Sequence, residues 1–224
     1  MGNIELLKRV AAERRRLSAH GPSFVRSDGD FECVSIPASD GDVLRDLMLA
    51  QKPRTVIEVG LPYGASALAI AEALVSLDET GTRHVIIDAY QDHFHRAGWD
   101  AIVAAGLSDI CTLVPRRSQL ALPRLVEEGL TADAAFVDGS HIFHNVFVDL
   151  VFLGELVHSG GLIVLDDCNW PSVATAVHYF ETNAGWRREP TKAETRLRAY
   201  RLPDCRVKQS FEDFQPLGLN GQGD

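Results

Sequence analysis

The chain has 224 residues, of which 46% are hydrophobic and 24% charged, and its formal net charge is −9. This length and composition predict one soluble globular domain with a sizeable core. A nucleic-acid interface normally needs a basic patch, so the acidic balance argues against DNA or RNA as a partner.

Targeting signals and cysteine motifs do not stand out in the chain. No apolar run approaches the roughly 18 residues of a membrane span, and residues 1–20 are charged and amphipathic rather than signal-like. The four cysteines form no CxxC pair and no zinc-binding spacing. We therefore expect a cytoplasmic protein with reduced thiols and no membrane partner. Assembly into a homo-oligomer stays open.

Two helices are predicted in the first fifty residues. Residues 4–19 and 39–50 each carry an apolar stripe at helical spacing. Between them, residues 21–30 are rich in Gly, Pro, Ser and Asp, which predicts a loop. Ser39 or Asp40 is the expected N-cap of the second helix, since either side chain can accept a hydrogen bond from a free backbone N–H. We assign residues 1–50 to a separate N-terminal helical cap.

Strands and helices alternate from residue 54 onward. Apolar or β-branched runs predict strands at 55–59, 84–88, 111–114, 134–138 and 162–166, with weaker ones near 186–188 and 197–202. Helical stretches are expected at 65–77, 101–105, 120–128, 146–157 and 171–183. The alternation predicts a Rossmann-like α/β fold, a doubly wound and mostly parallel seven-stranded sheet with helices on both faces. Residues 51–204 form this core, and 205–224 form a tail whose end, 218–224, is expected to be disordered.

Polar side chains and glycines follow the predicted strands, where ligands bind in open parallel sheets. Gly60 and Gly64 allow a tight turn and a close approach of backbone to a ligand after the first strand. Asp88 ends the second strand, where a carboxylate can accept both hydroxyls of a ribose. Ser118 and Gln119 follow the third strand and are placed to meet the edge of an adenine. Together these features favour a nucleoside-containing cofactor.

Three carboxylates are expected to meet after the fourth and fifth strands. Asp138 ends the fourth strand, and Asp166 and Asp167 end the fifth. Carboxylates packed together without a cation repel one another, and hard oxygen ligands suit Mg²⁺ or Mn²⁺. His141 lies three residues after Asp138 and is a candidate general base for a hydroxyl held at that cation.

These motifs resemble the class I S-adenosylmethionine-dependent methyltransferases, and among them the divalent-metal-dependent O-methyltransferases of the catechol type. The resemblance implies a set of S-adenosylmethionine-binding residues: Glu58, Gly60, Tyr63, Gly64, Ser66, Asp88, Ser118, Gln119 and Asp138. The D-G-x-H and D-D patterns are closer to the macrocin and mycinamicin sugar O-methyltransferases. In those enzymes the metal ligands align with Asp138, Asp166 and Asp167, and the general base aligns with His141. A glutamate stands there at the position of Asp166.

The resemblance covers about residues 50–185, while the two ends of the chain match no pattern. It implies Mg²⁺-dependent O-methylation of a small-molecule hydroxyl, on a sugar or a phenol, with residues 1–50 helping to build the acceptor pocket. Two alternatives stay open. One is another enzyme of a secondary-metabolite pathway, since some relatives are named as hydroxylases. The other is a non-catalytic cofactor-binding module, which would gain nothing from three converging carboxylates beside His141.

Overall fold

The computed structural model describes residues 2–191, 194–205 and 211–217, and its centre is one seven-stranded sheet. The strands are β1 Thr55–Val59, β2 Arg83–Ile87, β3 Cys111–Val114, β4 Ala132–Val137, β5 Val157–Leu165, β6 Arg187–Glu189 and β7 Arg198–Arg201. Their order across the sheet is β3-β2-β1-β4-β5-β7-β6. Strands β1 to β5 are parallel, and β7 runs antiparallel to both β5 and β6. The predicted fold class is confirmed.

Helices cover both faces of the sheet. They are α1 Asn3–His20, α2 Asp30–Val34, α3 Ala38–Gln51, α4 Ala65–Leu77, α5 Ala97–Ala104, α6 Ser118–Glu127, α7 Phe143–Leu156 and α8 Pro171–Asn183. Helices α1 and α3 pack on α4 on one face, whereas α6, α7 and α8 form the layer on the other. Within the described ranges, no helix has both the length and the apolar character that a bilayer crossing requires.

Alternate residues of each central strand belong to opposite cores. Phe136 and Val164 pack toward α3 and α4, whereas Val137 and Leu165 pack toward α7 and α8. Because both faces are covered, the strands read as continuous apolar runs rather than as alternating ones. Because of this alternation, two consecutive polar residues at the end of a strand point toward opposite layers of helices.

The structure differs from the sequence expectations at several element boundaries. The predicted loop is followed by the short helix α2, and α3 begins at Ala38 with no side-chain cap. The capping prediction is therefore wrong: Asp40 is buried and accepts a hydrogen bond from the hydroxyl of Thr195. Strand β5 begins at 157 instead of 162, because its glycines continue the strand through a shift in its register with β4. The predicted disorder at 218–224 lies outside the described residues.

The turn after β1 crosses the end of β4 at very short range. Gly60 has a φ of +100°, and a Cβ built there would lie 2.1 Å from the carbonyl oxygen of Asp138. Both the backbone conformation and the missing side chain are needed at this point. The ends of β1 and β4 are thereby held in direct contact, so the close approach that the sequence predicted toward a ligand is made to the backbone of Asp138.

Gly60→Ala should destabilise the protein far more than Gly129→Ala. Gly129 has a φ of +73°, but no atom lies within 4 Å of the place that a Cβ would take there. Its substitution therefore costs only backbone strain, on the order of 1 kcal/mol. At position 60 the methyl group would also displace the backbone of Asp138. Urea unfolding of the two variants measures the difference, and equal midpoints would contradict the close approach.

Candidate cofactor and metal site

A cavity of about 540 Å³ opens where the parallel strands end. Seven of the predicted site residues line it: Gly60, Asp88, Ser118, Gln119, Asp138, His141 and Asp167. A larger groove of about 840 Å³ runs between α1, α3 and α4 but touches no strand. Since ligands of parallel sheets bind at the strand ends, the smaller cavity is the candidate site.

Asp88 is fixed at the cavity wall by the backbone. Its Oδ2 accepts the N–H of Leu61 at 2.8 Å, and its Oδ1 accepts the N–H of Tyr90 at 2.6 Å. The carboxylate is buried apart from the surface that it presents to the cavity. Each oxygen retains a second lone pair for an incoming hydroxyl, so the geometry is compatible with the ribose role.

Ser118 and Gln119 are oriented by a buried acid of α7. The hydroxyl of Ser118 donates to Asp149 Oδ2 at 3.0 Å, and the amide nitrogen of Gln119 donates to Asp149 Oδ1 at 3.3 Å. Burial raises the pKa of Asp149 to about 7, although both donors act to lower it. Because the amide nitrogen faces Asp149, the amide oxygen of Gln119 is the atom left to meet an amino group in the cavity.

Glu58 and Ser66 lie beneath the cavity and do not line it. The hydroxyl of Ser66 donates to Glu58 Oε1, and His84 Nε2 lies 2.9 Å from Glu58 Oε2. Burial alone would lower the pKa of His84, but contacts with Cys111 and Glu58 outweigh it and raise this pKa to about 9. Glu58 therefore forms a fully buried ion pair that braces the glycine turn from below.

Tyr63 is fully buried and also lies outside the cavity lining, as does Gly64. The Tyr63 hydroxyl donates to Asp30 of α2 and accepts the backbone N–H of Arg26. The Arg26 guanidinium stacks on Phe94, 4.5 Å from the ring centroid, and lines the cavity. Tyr63 thus ties residues 26–30 to the turn formed by residues 60–64, a contact that its sequence position alone did not reveal.

The acidic turn after β4 meets the end of β5 around one histidine. His141 Nε2 lies 2.8 Å from Asp167 Oδ2 and 3.9 Å from Asp138 Oδ1. One ligand atom from each of the three side chains lies within 4.8 Å of the others. Asp167 has a φ of +56°, an unusual backbone conformation for a residue with a side chain, and such conformations are common at functional sites.

Each of these three groups titrates away from its ordinary range. The carboxylates of Asp138 and Asp167 raise the pKa of His141 to about 10. Burial raises the pKa of Asp138, whereas the hydrogen bond from His141 lowers the pKa of Asp167. The imidazolium is thus the counter-charge in direct contact with the two carboxylates, and the charge of Arg196 adds to it from further away.

Asp166 is directed away from this cluster. Its Oδ2 accepts a hydrogen bond of 2.6 Å from Arg196, and its Oδ1 accepts the backbone N–H of Asp167 at 2.7 Å. Burial, followed by the charge of Asp138, raises the pKa of Asp166 to about 6. The side chain does not line the cavity. The structure thus brings together Asp138 and Asp167 of the predicted metal ligands, with His141 beside them.

Two contributors to the site were not predicted. Asp149 lies in the apolar stretch of α7, where a single acid could have been noticed as unusual for a buried helix face. Arg196 lies 30 residues from its partner Asp166 in the chain. No local pattern indicates such a pair, because it depends on how β7 returns beside β5.

The chain matches a known protein family across this region. The family described as a methyltransferase domain matches residues 57–168, which is half of the chain. A protein of Arabidopsis thaliana with the provisional name caffeoyl-CoA O-methyltransferase is 27% identical over 146 residues. That alignment spans 65% of this chain and only 60% of the relative's length.

Solved structures share the fold at low sequence identity. The O-methyltransferase TomG of Streptomyces achromogenes, involved in tomaymycin synthesis and solved with S-adenosylmethionine, is 20% identical with a TM-score of 0.60, covering 89% of each chain. The S-adenosylhomocysteine complex of the Podospora anserina methyltransferase PaMTH1 is 17% identical with a TM-score of 0.65, covering 89% of this chain and 88% of that one. At these identities the likeness shows the fold.

Asp149→Asn should make the protein less sensitive to rising pH. The folded pKa of about 7 exceeds the ordinary aspartate value of 3.8, so the native state binds a proton that the unfolded chain releases. The contribution of Asp149 to the free energy of unfolding is therefore lost as the pH rises from about 4 to 7. Urea unfolding at pH 5 and pH 8 should show a smaller loss in the variant than in the wild type. The exposed Asp109→Asn is the control, and equal losses in all three proteins would contradict the assignment.

Proposed function

Since the chain belongs to the methyltransferase domain family, we propose that it is an S-adenosylmethionine-dependent O-methyltransferase acting on a small-molecule hydroxyl. The observation that carries this proposal is the single cavity wall shared by Asp88, Gln119 and the Asp138–Asp167 pair. One end of that wall suits a nucleoside, and the other end suits a hydroxyl that must lose a proton.

The cofactor end is built from fixed acceptors. Asp88 is held by two backbone N–H groups and offers its remaining lone pairs to the ribose hydroxyls. The amide oxygen of Gln119 accepts from the adenine amino group, because Asp149 holds the amide nitrogen away from the cavity. Glu58 and Ser66 support the glycine turn from below. When bound, S-adenosylmethionine supplies the activated methyl group.

The acceptor end fits a divalent cation. Asp138 and Asp167 present hard oxygen donors close to one another, and within the described ranges the cationic side chain in ion-pair contact with them is the ionisable His141. Such oxygens suit Mg²⁺ or Mn²⁺. When bound, the ion supplies Lewis acidity that lowers the pKa of an acceptor hydroxyl. The sequence-predicted third ligand, Asp166, would join only if its pair with Arg196 opened.

His141 is the proposed general base. It lines the cavity and is about half exposed, so an acceptor hydroxyl can reach its ring. Its pKa of about 10 reflects the two neighbouring carboxylates, and a second cation on those carboxylates would weaken their hold on the proton. In its neutral form, the His141 ring nitrogen would accept the proton of the acceptor hydroxyl as the methyl group passes to the hydroxyl oxygen and the demethylated cofactor leaves.

The rim of the cavity favours an acceptor with a flat or apolar ring. Tyr90 and Ile142 line the opening and are more than half exposed, at 53% and 57%. Trp170 is 53% exposed, and its backbone N–H donates to the carbonyl oxygen of Asp167 at 2.9 Å. Exposed apolar groups beside a polar centre are typical of ligand sites. Phenols fit this description more closely than sugars, whose rings are puckered and polar, and the relative's name adds thioesters of phenolic acids.

A methyl-transfer screen tests the proposed function. The wild-type protein with methyl-labelled S-adenosylmethionine should label hydroxyls in a panel of phenols, sugars and phenolic thioesters. EDTA should abolish the label, and Mg²⁺ or Mn²⁺ should restore it. Calorimetry should show that the wild type binds the cofactor with micromolar affinity. Asp88→Ala should weaken this binding. A wild-type protein that binds neither the cofactor nor its demethylated product would refute the proposal.

His141→Ala should lower kcat by about 10²–10⁴, as expected for removal of a positioned base, while cofactor affinity stays unchanged. The matched control is His144→Ala, an exposed histidine of α7 outside the cavity lining, which should retain wild-type kcat. The pH–rate profiles of both proteins separate a general base from a residue that only orients the carboxylates of Asp138 and Asp167. An acidic limb that persists unchanged in His141→Ala would exclude His141 as the base.

A further inference from the structure

Asp166 and Asp167 are adjacent in the chain but serve opposite sides of the sheet. The face of β5 that carries Val164 packs against α3 and α4, and two residues later Asp166 continues that face. Asp167, with its left-handed backbone, directs its carboxylate into the cavity instead. The doubled acid at the end of β5 is therefore split between two environments.

Both oxygens of Asp166 already accept hydrogen bonds from the protein. Arg196 Nη2 donates to Oδ2, and the backbone N–H of Asp167 donates to Oδ1. The Asp166 side chain has no exposed surface, whereas Arg196 is 36% exposed. A buried carboxylate with a charge-assisted hydrogen bond of 2.6 Å is costly to detach, because an unpaired buried charge would remain.

Arg196 also reaches a second buried acid, Asp40 in the first turn of α3. Its Nε lies 3.7 Å from Asp40 Oδ2, and the neighbouring Thr195 hydroxyl donates to Asp40 Oδ1 at 2.6 Å. One guanidinium thus stands between a carboxylate of the N-terminal segment and a carboxylate at the end of β5. The segment that leads into β7 is fastened to both.

We propose that Arg196 withholds Asp166 from the metal ligand set and uses it to clamp α3 to the end of β5. This inference rests on the proposed metal site at Asp138 and Asp167. The internal cation compensates the charge of Asp166, so a metal ion meets two carboxylates rather than three. Arg196 is accordingly a positioning residue: it holds the strand end from which Asp167 extends.

Manganese binding to the full chain tests the ligand set without any turnover. Titration of Mn²⁺ followed by its EPR signal should give the same Kd for Asp166→Asn and wild type. Asp167→Asn should weaken binding about tenfold or more. Arg196→Met should tighten binding by releasing Asp166, and Arg196→Met/Asp166→Asn should return to the wild-type Kd. Arg201→Met, which removes a β7 arginine paired with Glu189, should have no effect.

Unfolding measurements test the clamp without metal. In EDTA, Arg196→Met and Asp166→Asn should be non-additive in urea, because each breaks the same pair. If no protein binds Mn²⁺, the proposed metal site fails, and non-additivity still supports the clamp. The inference is overturned if the two substitutions add independently, or if Asp166→Asn weakens Mn²⁺ binding as strongly as Asp167→Asn.

Discussion

The close crossing of the β1 turn over the end of β4 is the constraint on which the site depends. Gly60 passes so near the carbonyl of Asp138 that no side chain fits between them. The turn after β1 and the turn after β4 are consequently one continuous surface rather than two separate loops. Asp88, whose carboxylate holds the N–H of Leu61 one residue further on, extends this surface to β2. A ligand spanning the cavity therefore meets donors and acceptors whose separations are set by backbone contacts.

The partners of the acids around the cavity divide these acids into two groups. Glu58 has His84, Asp166 has Arg196, and Asp149 is held by neutral donors in a buried place. These acids stabilise the surroundings of the cavity. Among the described residues, Asp138 and Asp167 have ion-pair contacts with His141, while Arg196 acts on them from a greater distance. They are accordingly the pair to which the proposed cation is assigned.

Much of this architecture could be predicted from the sequence, for a physical reason. Parallel strands buried on both faces give uninterrupted apolar runs, so β1 and β3 were bounded correctly, as were α4 and α8. Asp138 directly follows such a run, so its place at the end of a strand could be predicted together with the strand itself. By contrast, α2 has no buried residue, so its hydrophobic pattern carries too little signal to identify it.

The partners of the site residues could not be predicted in the same way. The direction of the Asp166 side chain depends on the side of the sheet to which the end of β5 turns it. It also depends on Arg196, which precedes β7 and lies 30 residues away in the chain. Glu58 likewise lies beneath the cavity, because one of its carboxylate oxygens accepts a hydrogen bond from Ser66 and the other pairs with His84. Residue types and spacing indicate which groups gather at an edge, but side-chain direction is decided by long-range packing.

The hydrogen bonds of the Tyr63 hydroxyl constrain how the lining of the cavity can change among homologous chains. Asp30 and Arg26 both form hydrogen bonds with that hydroxyl. Replacing the first fifty residues with those of a homologue would therefore leave the buried hydroxyl without its partners and lower the free energy of unfolding by about 1–3 kcal/mol. A recombinant would tolerate the exchange only if the donor segment carried an acid at the equivalent place. Point substitutions at Cys33 and Val34, which line the cavity, leave that bond intact. The lining of the cavity can therefore change by single replacements more readily than by transfer of the whole segment.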